Sequence, residues 1–434
     1  QFAALIDALV YTRSRNEKLR LIAEYLRSTP DPDRGWALAA LTNELDFPAV
    51  KSSTIRNLLK ERIDPVLWTL SRDFVGDTAA TASLLWETGQ VDAPSDVTTS
   101  LSVSDVVERL SAMTRGTVAT ELPKLLDALD VNGRYALLKL ATGGMRVGVS
   151  SRLAKTAFAQ AFEVSIDDVE EYWHGLEPPF PELFAWAAEG EAPPDIENLP
   201  TFRPFMLAHP LEETEVSLED YAAEWKWDGI RVQLVRAGHE GEEQTRLYSR
   251  SGDDISATFP ELLDALPINA VLDGELLVRG VTQGGEEGGA ASFNALQQRL
   301  GRKTVSKKML REAPAFVRLY DVLILEGEDL RELVWEKRRK RLEGLMSHLP
   351  DSHFDLSALV EARDFEHLAE IRERSRDDAI EGLMLKRRDA PYVAGRRTGL
   401  WYKWKRDPLL VDCVLMYAQR GSGKRSSFYS DYTF

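Results

Sequence analysis

The sequence predicts a multidomain chain. An all-α region spans residues 1–175, a linker 176–200, an α+β domain 201–406, and the first strands of a further β-rich unit 407–434. Three observations predict it. At 434 residues with 44% hydrophobic content, the chain is globular and too long for one ordinary core. Apolar residues recur at helical spacing up to about residue 175 and in short strand-like runs after about residue 200. Between the two regimes lies "GLEPPFPELFAWAAEGEAPPDIENLP", a proline-rich acidic stretch with the composition of a linker.

In the helical region, "NEKLRLIAEYLRS" places Leu19, Ile22, Ala23 and Leu26 on one face, and "SVSDVVERLSAM" opens with Ser102 or Ser104 as an N-cap. "GGMRVGVSSRLAKTAFAQAF" sets Gly143, Gly144 and Gly148 around Met145, Arg146 and Val147, then starts a capped helix near Ser150 or Ser151. Locally this is either a glycine-bearing connection between helices, the reading favoured there, or a place where backbone approaches phosphate.

After the linker, "TRLYSRSG", "AVLDGELLVRG", "AFVRLYDVLILEG", "EGLMLKRRD" and "GLWYKWKRD" read as strands, separated by helical segments such as "SFNALQQRLG" and "LVWEKRRKRLEGLM". Within the last of these, "EKRRKRLE" is a charged helix face or, less favoured, a nucleic-acid patch. "LLVDCVLMYAQRG" then begins another strand-rich unit, with Cys413 expected as a small core hydrophobe. "QRGSGKRSS" lacks the spacing of a phosphate loop and is expected to be a basic hairpin loop. The chain starts without methionine and ends on the alternating run "SFYSDYTF", so further sequence is expected after Phe434.

One cysteine excludes a disulfide within the chain and a cysteine-rich zinc module. No apolar run reaches the roughly 18 residues of a membrane span, and nothing at the N-terminus has a signal-peptide pattern. The expected setting is therefore cytoplasmic, or nucleoid-associated in a bacterium. The net charge of -16 opposes phosphate binding by the whole surface, yet residues 386–406 carry eight cations against Asp389 alone, a local +7. "GGEEGG" and the linker hold acidic residues expected to be solvated.

Several strand ends carry charge: Lys226, Asp228 and Arg231; Arg250; Asp273 and Glu275; Asp321; Glu381 and Lys386; Lys403 and Lys405. Any one could be a surface charge. Their repetition suggests convergence where a mostly parallel or strongly twisted sheet opens, forming a pocket for a triphosphate and a divalent metal. Lys226 stands in "EWKWDGIRVQL" between Trp225 and Trp227. A lysine amine attacks phosphorus only when neutral, and burial and nearby cations favour that form.

"KWDGIR" resembles the KxDGxR signature of covalent nucleotidyltransferases. "YSRSG", "LDGELL", "LYDVL", "EGLMLK" and "WYKWKRD" follow in the order found in ATP-dependent DNA ligases. "GGMRVGVSSRLAKTAFAQAF" is similar to the glycine-arginine element of the helical DNA-binding domain of larger ligases, which displaces the local preference for a plain connection. The resemblance thus covers most of the chain. It implies a helical DNA-binding domain, an α+β adenylation domain and the start of a β-barrel OB-fold domain.

The resemblance also implies roles. Lys226 would form the phosphoramide with AMP from ATP, with Asp228 and Gly229 shaping its loop. Glu224, Trp225, Arg231, Arg250, Glu275, Tyr320, Lys386, Arg397, Lys403 and Lys405 would bind the nucleotide. Among them Tyr320 would stack on adenine, Arg231 would meet ribose or phosphate, and Lys386, Lys403 and Lys405 would neutralise the α-phosphate. Glu275 and Glu381 would hold Mg2+, with Mn2+ as a substitute, and Arg146, Gly148 and Arg250 would contact DNA. The implied partner is nicked double-stranded DNA, bound by a monomer away from membranes. The family's sixth motif lies beyond the early OB strands present here, so its absence would weaken the first step.

An RNA ligase or an mRNA-capping guanylyltransferase shares the lysine motif, although the helical region and "EGLMLK" favour a DNA ligase. An NAD-dependent ligase would need a four-cysteine zinc module that one cysteine cannot build. A non-catalytic nick-binding protein is the reading from another class, opposed by the number of convergent charges.

Overall fold

The computed structural model describes residues 1–86, 101–212, 216–281, 287–290, 293–297, 299–300, 305–374, 380–406, 410–421 and 429–434. The chain divides into two compact units. One comprises Gln1–Val169, Leu176–Pro194 and Leu410–Phe434; the other comprises Glu170–Gly175 and Asp195–Leu409.

The described residues up to Val169 form helices and no strand. The Arg15–Ser28 helix starts where the Ser14 side chain accepts from the Glu17 N–H, and it buries Leu19, Ile22, Ala23 and Leu26, the face that the spacing predicts. The Val103–Ala112 helix opens on a reciprocal capping box between Ser102 and Asp105, 3.0 Å in each direction. Ser150 caps the Ser151–Phe162 helix.

In the proline-rich stretch, charges and aromatics separate. Glu182, Glu189, Glu191, Asp195 and Glu197 are exposed, whereas Phe180, Leu183 and Phe184 are buried. Phe184 meets Phe158 edge-on at 5.1 Å, which ties the short Pro181–Phe184 helix to the helical core.

The second unit is built on strands β1 (Met206–Leu207), β2 (His209–Pro210), β3 (Tyr221–Trp227), β4 (Ile230–Ala237), β5 (Gln244–Ser249), β6 (Ala270–Val281), β7 (Glu287–Ala290), β8 (Ala315–Leu325), β9 (Glu328–Asp329), β10 (Phe354–Leu356), β11 (Ile380–Arg387), β12 (Gly395–Arg396) and β13 (Trp401–Lys405). One sheet runs β10-β8-β6-β4-β5, with β7 on β6 and β9 on β8; a second runs β2-β13-β11-β3; β1 pairs with β12. The long pairings β4/β6, β6/β8, β11/β3 and β11/β13 are antiparallel, so the mostly parallel alternative is not the one that forms.

Period-two alternation sets the layers. Val232, Leu234, Leu272, Leu276, Val317 and Leu319 of the larger sheet pack on Leu342 and Leu345 of the Trp335–Leu345 helix. Tyr221, Ala223, Leu383 and Leu385 of the smaller sheet pack on Leu368 of the Phe365–Arg374 helix. Between the sheets, Val235, Val271 and Leu323 meet Met206, Tyr392 and Trp401.

The "EKRRKRLE" helix presents the expected charged face through exposed Glu336, Lys337, Lys340, Arg341 and Glu343, and departs from it at two arginines. Arg338 is fully buried against an equally buried Asp321, at 2.9 and 3.0 Å, and Arg339 is buried near Glu224. Two of its cations are internal ties between helix and sheet. They are not a solvated face or a patch.

Cys413 is exposed, as are Leu410, Val411, Val414, Leu415 and Met416, so it is not a core residue here. The strand after it begins only at Tyr417: β14 (Tyr417–Arg420) pairs antiparallel with β15 (Tyr429–Thr433). Among the described residues no sheet closes into a barrel. Residues 422–428, which hold most of the basic loop, and 284–286 of the acidic run lie outside the described residues, as do 407–409. Among the described residues no helix is long and apolar enough to cross a membrane.

Candidate active site

Strand alternation explains why a lysine stands between two tryptophans. On β3, Ala223 and Trp225 belong to the outer apolar cluster, so Glu224 and Lys226 point to the other side. The same alternation sends Met384 and Lys386 of β11 inward while Leu383 and Leu385 face out. On β13, Trp401, Lys403 and Lys405 go inward and Tyr402 and Trp404 outward. From the facing sheet, Arg231 on β4 and Glu275 on β6 lie directly opposite each other in register.

These side chains line one cavity of about 360 Å³, within the size range of a small-molecule site. Glu224, Trp225, Lys226, Arg231, Arg250, Glu275, Tyr320, Glu381, Lys386, Lys403 and Lys405 all contribute. Arg397 does not; it is exposed at the turn after β12. Arg146 and Gly148 belong to the other unit, on the loop before the Ser151–Phe162 helix, and both are exposed.

The Lys226 ammonium is paired with Glu381, whose carboxylate also accepts Lys405 at 3.2 Å. Burial pushes the Glu381 carboxyl up, but the hydrogen bonds and charges of Lys226 and Lys405 outweigh it and hold it below the usual range. Asp228 faces the same carboxylate, and burial together with the Glu381 charge pushes its carboxyl up. Glu275 is pushed up to about 7, mainly by burial, with Lys226 and Arg231 pulling the other way. Lys403 is shifted down by burial and by Arg396, Lys405, Lys226 and Arg250, a concentration of positive charge that an anion would relieve.

At the inner end, Lys386 is buried and donates to Glu224 at 3.1 Å, with its Nζ 4.4 Å from the Tyr320 ring centroid. Burial lowers the Lys386 ammonium from its ordinary value, and the Glu224 charge opposes that shift.

Arg231 is held more fully than a free phosphate ligand would be. It bonds Asp273 at 3.0 Å, the Met206 carbonyl at 2.6 Å and the Tyr392 hydroxyl at 3.2 Å, and it lies 4.0 Å from the Phe205 ring centroid. Asp273, a strand charge in sequence, is fully buried between Arg231, Tyr392 and Gln233. It braces the wall of the cavity.

Gly229 and Gly382 are demanded by close backbone approach. A Cβ on Gly229 would lie 2.5 Å from the Leu276 carbonyl oxygen. One on Gly382 would lie 2.3 Å from the Trp404 carbonyl oxygen, at a φ of +150°.

Sequence reasoning missed Leu207, Ala208, Trp227, Ile230, Met384 and Trp401 as lining residues. Met384 and Trp401 sit two positions before Lys386 and Lys403, so the period of two could have found them. Leu207 and Ala208 carry no such signal.

Residues 205–405 match the family described as ATP dependent DNA ligase domain. The chain is 27% identical over 475 residues to a probable DNA ligase of Koribacter versatilis, covering 100% of this chain and 79% of that one. It is 31% identical over 321 residues to a DNA ligase of Methanothermobacter thermautotrophicus, covering 71% and 55%. A solved structure titled Pmar-Lig_Pre superposes with a TM-score of 0.56 at 16% identity over 100% of this chain and 84% of that one, a likeness of fold.

Proposed function

The chain belongs to the ATP-dependent DNA ligases through residues 205–405, and from that premise we propose that it seals nicks in duplex DNA through a lysyl-AMP intermediate on Lys226. The observation that carries this reading is the gathering of Lys226 with Glu275, Glu381, Lys386, Lys403, Lys405 and Arg250 around one cavity. A primary amine faces two carboxylates and four further cations, the composition suited to a nucleophile meeting a polyphosphate.

In the first step the Lys226 amine, having lost a proton, forms a bond to the α-phosphorus of ATP while the bond to pyrophosphate breaks. Lys386, Lys403 and Lys405 neutralise charge on the phosphoryl oxygens, and the Tyr320 ring offers a stacking surface for adenine. AMP then passes to the 5' phosphate at the nick, with Arg250 as its ligand, and the 3' hydroxyl displaces AMP. Each transfer depends on alignment and charge stabilisation.

Glu275 and Glu381 would hold Mg2+, or Mn2+ in its place. Both carboxylates line the cavity, and Mg2+ is commonly bound by one or two carboxylates together with substrate phosphates. When bound, the ion neutralises phosphate charge. Glu381, the carboxylate that would hold the ion, is also the partner of the Lys226 ammonium.

The remaining assignments follow the same reading. Residues 1–175 bind the duplex through Arg146 and Gly148, 176–200 link, 201–406 adenylate, and 407–434 begin an OB-fold domain, for which the β14/β15 hairpin is the supporting feature. The protein acts as a monomer on nicked double-stranded DNA.

Intact mass before and after incubation with ATP and Mg2+ tests the covalent step. The expected result is a gain of one AMP that Lys226→Ala abolishes. A gain that persists in Lys226→Ala would refute it, as would the absence of AMP, both as purified and after incubation, on a chain extended through the sixth motif. Sealing of a pre-adenylated nick tests the last step separately.

A further inference from the structure

Lys18 lies in the first turns of the Arg15–Ser28 helix, where the helix dipole disfavours a cation, and it is buried. Lysine is rarely buried without a specific partner. Its ammonium donates to two consecutive main-chain carbonyls, those of Val147 at 2.9 Å and Gly148 at 2.7 Å. Both belong to the loop that enters the Ser151–Phe162 helix.

That loop is held in an unusual form. Arg146 has a φ of +47°, a left-handed conformation costly for a non-glycine residue, between Gly143 at +68° and Gly148 at +69°. Met145 and Val147 are buried on either side of exposed Arg146. A planar trans peptide points its N–H opposite to its C=O. With the Val147 and Gly148 carbonyls drawn to Lys18, the N–H groups of Gly148 and Val149 therefore point away from it.

The local charge matches. Arg146 and Arg152 are exposed there and no acidic residue stands between Asp130 and Glu163, in a chain of net charge -16, while Arg134, Lys139 and Lys155 of the same stretch are buried.

We propose that Lys18 is a positioning residue for DNA binding: it fixes the 145–149 loop so that Arg146 and two successive backbone N–H groups meet the phosphodiester backbone of the duplex. This rests on the reading that Arg146 and Gly148 contact DNA. Lys18 itself, being buried, touches no phosphate.

A double variant separates the two roles, because a residue that acts through Arg146 has less left to position once Arg146 is gone. Binding of the full chain to a fluorescent nicked duplex is measured across salt concentrations, with the active fraction taken from stoichiometric titration. Lys18→Met is expected to weaken binding about tenfold, Arg146→Ala to lower the slope of log K against log salt by about one, and Lys18→Met to weaken binding by no more than about threefold in the Arg146→Ala background. Lys18→Gln, which keeps a donor for one carbonyl, is expected to fall between wild type and Lys18→Met, and it carries the test should Lys18→Met not fold.

Wild-type affinity in a folded Lys18 variant, or the full tenfold loss from Lys18→Met in the Arg146→Ala background, would overturn the positioning role. An Arg146→Ala variant with unchanged affinity and slope would overturn the DNA-contact reading beneath it.

Discussion

Removing one charge at Glu224 tests the inner end of the cavity. Glu224 is 1% exposed and its Oε1 faces two buried cations, Lys386 at 3.1 Å and Arg339 at 3.8 Å. With the carboxylate the trio sums to one positive charge; as Glu224→Gln it holds two, in the same dry volume. Breaking a buried pair by removing one partner costs about 3–5 kcal/mol, because the remaining charge stays desolvated. For a unit of this size that corresponds to a melting-temperature loss of roughly 6 to 20 °C.

The measurement is calorimetry on the full chain, following the transition that ATP raises. Lys386→Met removes the cation instead, and the double variant should lose about 2–3 kcal/mol less than the sum of the two singles. A drop below about 2 °C for Glu224→Gln, or additivity in the double variant, would refute the claim that this pair is a coupled buried unit.

Gly229→Ala puts a Cβ 2.5 Å from the Leu276 carbonyl oxygen and 2.8 Å from the Glu275 Cγ, so the loop after Lys226 must shift. AMP transfer to the protein, followed by mass, should slow about 100-fold, the scale of a misplacement of roughly 1 Å. In the helical unit, Asp77 caps the Thr78–Leu85 helix and pairs with Lys139 at 2.5 Å. Burial pushes its carboxyl up, but Lys139 and the Ala80 N–H outweigh this and hold it below the usual range. Its contribution is therefore present above the ordinary aspartate range and lost as pH falls through the lowered value. Asp77→Asn should cost about 1.5–3 kcal/mol at neutral pH and remove that part of the acid loss, read from urea midpoints against pH.

How much was legible depends on whether a signal is local. The Arg15–Ser28 helix, the Ser102 and Ser150 caps and the strand runs around Lys226, Glu275, Glu381 and Lys403 were readable because period and capping are properties of neighbouring residues. The ordered charges announced the candidate site for the same reason. Their partners were not readable: Asp273 and Asp321 look like the other strand charges, and only burial against Arg231 and Arg338 makes them internal braces. Tyr392 likewise gives no sequence sign that its hydroxyl joins Asp273 to Arg231.

The sequence by itself determined the succession from helical to strand-built regions and the residue types available for phosphoryl transfer, since both are written in spacing and side-chain chemistry. Tertiary structure alone decided which charges face the cavity and which hold it together. Lys226 stands between two tryptophans and Arg338 in a run of charges, yet the first meets Glu381 at the cavity and the second is sealed between its helix and the sheet. The reason is that burial and pairing depend on which strand or helix lies opposite, a relation set by contacts far apart in the chain.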